Sequence, residues 1–264
     1  MTYFYRHGLS PAGFTAILSS PVIADWWWLS QPLTNVQPSA ARSMAPWPPL
    51  YLAVAQTCAE GQPILGLPWA QRFQALASVS PEAVLLVATP VLLLQVNRYG
   101  HRQANIQGWA SDLGLSPALS TTLATYFHSL CQALTGQIPS LSQHPGKEYE
   151  FLALAAESLA GSLRPLQALV QAAQGQFLLA LELAHSRGYA GPAISWVGLL
   201  ASLVVGLPGL PLALWGNGWS SSLVAERWQG HDTEHLQQLA EALYRRWAGV
   251  GYGALPNPQT AYNS

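Results

Sequence analysis

Two local groupings in this 264-residue chain have residue types or spacing suited to chemistry. His231-Asp-Thr-Glu-His235 fits the inverted zinc-hydrolase pattern HxxEH, in which two histidines on one helical face hold a metal and a glutamate acts beside it. The pattern fails at its first member. Asp232 is a natural N-cap, which puts His231 outside the helix, and no further ligand stands out after His235. Solvated polar residues, with Glu234 favouring the helix dipole, account for the motif better.

The second grouping is Asp25 followed by Trp26, Trp27 and Trp28. Consecutive residues of a helix point in different directions, so at least one of these rings is expected at the surface. Lid-like packing over the core is the plain reading. The sharper one is an aromatic platform for a ligand, a partner or a membrane surface, because indole suits contacts with one wet edge.

Other nucleophiles and ligands are isolated. Ser220, Ser221 and Ser222 lack a G-x-S-x-G elbow or an ordered Ser/Asp/His set and read as a polar turn. Gly206–Gly209 and Gly216–Gly218 lack phosphate-loop spacing. Cys58 and Cys131 lie far apart in apolar helical patterns, outside any metal-spaced cluster, and read as buried thiols in a reducing compartment.

The elements that must position these groups are helical throughout. Ser80-Pro81-Glu82 opens a helix whose apolar run contains Pro90, a kink or break. Ser116-Pro117 opens another, which ends at Gly136. A third starts at Pro165 and runs to Gly188 with a stripe of Leu166, Leu169, Val170, Ala173, Phe177, Leu178 and Leu181. Asp232–Trp247 forms the last, amphipathic one. Shorter helices are expected near Pro49–Ala59, Trp69–Ala77, Arg102–Leu113 and Lys147–Leu159. Leu29–Pro48 and Gln137–Gly146 read as linkers. No strand-like alternation is found, so the fold class is all-α: a single compact multi-helix domain over residues 1–252 with a flexible tail over 253–264.

Only 9% of residues are charged, the net charge is −1, and the single lysine is Lys147. Without clustered positive charge, nucleic-acid binding is excluded. The N-terminal stretch Gly8–Ala24 has a signal-like lack of charge, but Pro11, Gly13, Ser19, Ser20 and Pro21 interrupt its apolar core. It reads as non-secretory and the location as cytoplasmic. Between Arg187 and Glu226 the chain carries no Asp, Glu, Lys, Arg or His. Ile194–Trp215 reaches the roughly 20 residues of a membrane span, yet Gly206, Pro208, Gly209 and Pro211 interrupt it. A buried core helix of a soluble protein is favoured over membrane attachment.

The same block carries a resemblance. Ile194-Ser-Trp-Val-Gly-Leu-Leu-Ala-Ser-Leu-Val-Val-Gly206, Val224-Ala-Glu-Arg-Trp228 and His235–Trp247 resemble, in order, three elements of the ADP-ribosylglycohydrolase family. Upstream, Leu52–Gly61 and Ala88–Leu94 are similar to further segments of that family. The resemblance implies the family's all-helical fold and a hydrolase that positions a ribosyl bond between two magnesium or manganese ions held by clustered Asp and Thr.

Those ligands are absent here. Pro46-Trp47-Pro48-Pro49 stands where the first acidic motif is expected, and Tyr189, Gly191, Pro192 and Ala193 stand at the second. The whole chain has three aspartates, Asp25, Asp112 and Asp232, of which Asp25 falls near the family's N-terminal Gly-Asp. Hard cations need carboxylate oxygens, and one carboxylate does not hold two metals. The resemblance therefore implies the fold and speaks against the activity: no catalytic residue, no metal ligand and no cofactor is assigned. The expected role is a catalytically inactive relative that binds a small molecule or protein partner at the degenerate cleft, with Asp25, Trp26, Trp27, Trp28, Trp47 and Tyr189 as candidate binding residues. An active hydrolase with an atypical site and a membrane-associated scaffold are the alternatives.

Overall fold

A computed structural model describes residues 10–31, 46–96, 102–135, 157–205, 210, 226–228 and 233–249. Among them are ten helices and no strand, as the all-α reading expects. They are α1 (Pro11–Ser30), α2 (Trp47–Glu60), α3 (Leu67–Val79), α4 (Pro81–Gln95), α5 (Arg102–Asp112), α6 (Pro117–Thr135), α7 (Glu157–Ala172), α8 (Phe177–Ser186), α9 (Pro192–Val205) and α10 (Thr233–Trp247).

The first helix is the largest departure from the sequence reading. The N-terminal stretch with its supposed breakers is one continuous 20-residue helix. Ser10 caps it, accepting from the Gly13 amide at 3.1 Å, and Pro11 occupies the first turn, where no amide partner is needed. Pro21 lies inside the helix and deprives the Ile17 carbonyl of its usual donor. The Ser20 hydroxyl lies 3.4 Å from that carbonyl, a weak contact that competes with its shorter bond to Ser202.

Every residue of α1 from Gly13 to Leu29 is buried. The reason is position: α1 packs chiefly on α9 and α10 and also touches α4 and α8. A helix covered on all sides carries no polar stripe, so amphipathic periodicity cannot announce it. The expectation that one of Trp26, Trp27 and Trp28 reaches the surface is overturned for the same reason. The most exposed of the three, Trp27, is 8% accessible.

The α1–α9 contact depends on small side chains. A methyl group at Gly198 of α9 would lie 2.6 Å from the Ala24 Cβ and 2.8 Å from the Ser20 carbonyl oxygen. One turn along, the Ser20 hydroxyl donates to the Ser202 hydroxyl at 2.9 Å. Helix α4 is the second interior element, buried from Ala83 to Pro90 and packed on α2, α3, α9 and α10. It runs unbroken through Pro90.

The helix read from Pro165 to Gly188 is two helices. Gln174 and Gly175 both take left-handed backbone angles, φ 52° and 76°, and the Gly175 amide closes on the Val170 carbonyl at 2.9 Å. Pro165 is inside α7 rather than at its start, and Leu178 is partly exposed rather than inward. The apolar block of the sequence holds α9, buried from Ile194 to Ser202, while residues 206–209 and 211–225 lie outside the described set. Among the described residues no helix is long and apolar enough to cross a membrane. The linker read over Leu29–Pro48 is shortened at both ends by α1 and α2; the linker at Gln137–Gly146 and the tail from Gly253 lie outside the described residues.

Candidate functional site

Asp25 lies in the last third of α1 with its side chain fully removed from solvent. A lone carboxylate among indoles and aliphatic groups needs a charge partner, because an unpaired buried ion costs several kcal/mol. Arg227 supplies it, from the short turn at 226–228. Its Nε lies 2.8 Å from Asp25 Oδ2, and its Nη2 donates to Oδ1 at 2.9 Å. The neighbouring residue completes the site: the Trp228 indole N–H donates to Oδ2 at 2.9 Å. Both carboxylate oxygens are thus engaged by two consecutive residues.

Aromatic rings enclose the pair. The Arg227 guanidinium sits over the Trp28 ring at 5.7 Å from its centre, within cation–π range. The Trp228 ring meets Trp47 edge-on at 5.4 Å and Tyr51 at 6.4 Å. Tyr51 is tied back to α1 by its hydroxyl, which donates to the Leu18 carbonyl at 2.8 Å. Burial pushes the Asp25 carboxyl up, with the Arg227 charge and the Trp228 and Arg227 hydrogen bonds opposing the rise.

Of the six residues singled out in the sequence, this cluster brings together Asp25, Trp28 and Trp47. Trp26 is buried at 2% exposure, and Trp27 packs edge-on against His185 of α8 at 5.9 Å. Tyr189 is half-buried just beyond α8, where its amide closes on the Ala184 carbonyl at 3.1 Å. Sequence reasoning missed Arg227, Trp228 and Tyr51 as members of the group. A signal existed for Arg227: an acid isolated in an uncharged stretch implies a cation brought to it from elsewhere, and Arg227 is the first cation after the long uncharged block.

The arrangement is poorly suited to holding a metal. A cation at Asp25 would have to displace a guanidinium already bound in a fork, in a space closed by indole rings. Among the described residues no three His, Cys, Asp or Glu side chains converge on one point. His231 and Asp232 of the HxxEH pattern lie outside the described residues, as do Ser220, Ser221 and Ser222. Cys58 and Cys131 are both buried and unbridged, as expected.

Open space lies elsewhere. A surface cleft of about 550 Å³ separates the end of α3 and the start of α4 from the α5–α6 turn, and Gln74, Ser78, Glu82, Ser116 and Leu119 are among its lining residues. Gln74 braces it by donating to the Leu113 carbonyl at 3.0 Å, and the Trp196 indole donates to the Glu82 carbonyl at 3.0 Å. Its volume falls within the range of small-molecule sites, but none of the six sequence candidates lines it. No protein-family model, curated protein or solved structure matches the chain.

Proposed function

We propose that this chain is a non-catalytic binding protein of ADP-ribosylglycohydrolase-like type, taking a small molecule or a protein partner at its surface. One observation carries the reading. Asp25, the aspartate that the resemblance sets near the family's N-terminal acidic motif, has both oxygens engaged by Arg227 and Trp228. A carboxylate in that state is committed to positioning the 226–228 turn and is closed to a metal or a water nucleophile.

Capture at the old site is disfavoured by the same packing, since Trp28 and Trp47 face Arg227 and Trp228 rather than an opening. The cleft beside Gln74, Ser78, Glu82 and Ser116 is the better candidate, with polar side chains at its rim and Leu119 as an apolar contact. The test is incubation of the purified protein with an ADP-ribosylated substrate in magnesium or manganese. The reading predicts no metal-dependent release of ADP-ribose. Robust release that a chelator abolishes would contradict it.

A further inference from the structure

We draw no further inference here: the strongest candidate, the cleft between the α3–α4 junction and the α5–α6 turn, belongs to the site already described, and the one carboxylate lining it, Glu82, lies in the first turn of α4, where the helix dipole accounts for it, so nothing among the described residues shows which ligand chemistry fills it.

Discussion

Asp25 and Arg227, separated by 202 positions in the chain, meet through a two-pronged ion pair with contacts of 2.8 and 2.9 Å, both side chains almost wholly buried. Desolvating two charges offsets most of their attraction, so such a pair contributes little net stability. What it does is fix where the 226–228 turn docks. Asp25 is the one charged residue of α1, and Trp228 adds a further donor to the same carboxylate. Asp25, Arg227 and Trp228 together fasten this turn against α1.

The tryptophan run should therefore behave as core. Trp28 is fully buried beneath the Arg227 guanidinium. Trp28→Ala is expected to cost about 3–5 kcal/mol in urea unfolding, the range for removing a large buried ring. A loss below about 1 kcal/mol would mean that the ring is solvent-facing in solution and would restore the platform reading.

The α1–α9 seam gives a second expectation. Gly198→Ala places a methyl against a backbone oxygen of α1, which cannot rotate away. A destabilisation of about 1–3 kcal/mol is expected from overpacking, where helix propensity alone would give a small gain. Thermal melting of the single variant decides between the two signs. A raised melting temperature would show that the helices are further apart than described.

Alkaline pH gives a third. Burial raises the Cys58 thiol from 9.0 to about 12, and burial likewise raises the Tyr51 and Tyr126 hydroxyls above 10.0. The unfolded chain releases these protons first, so it binds fewer protons than the folded chain in this window. Stability should fall as pH rises above about 9, by about 1.4 kcal/mol per pH unit for Cys58, and more steeply once the two tyrosines join. Urea unfolding across that range, with tyrosinate absorbance followed in parallel, measures it. Unchanged stability, or ionisation of all ten tyrosines before unfolding, would contradict the burial.

How far the sequence disclosed this structure depended on whether a helix had a wet side. Helix α10, with Glu234 in its first turn and Arg245 and Arg246 in its last, declares both its ends and its inner face. Helix α1 has neither, being buried on every side, and its prolines and glycine are residue types of a break although Ser10 caps the helix and Pro21 lies within it. The α7–α8 break escaped notice because the stripe continues across it, while the decisive feature is the left-handed backbone at Gln174 and Gly175. Of the site, the sequence named Asp25, Trp28 and Trp47 without Arg227 and Trp228, the residues they meet. Spacing carries no information about two groups that meet only when helices separated by most of the chain pack together.

Asp25 is a structural anchor, and the stability of Asp25→Asn is the sharpest check of that role. The substitution keeps the shape, removes the charge and leaves Arg227 buried without its counter-ion. Equilibrium unfolding in urea is predicted to show a loss of about 3 kcal/mol, with Arg227→Met costing a comparable amount and the double variant less than the sum of the two. An Asp25→Asn protein as stable as the parent, or more so, would contradict the account, because carboxylates kept for catalysis or metal binding are commonly retained at a cost to stability.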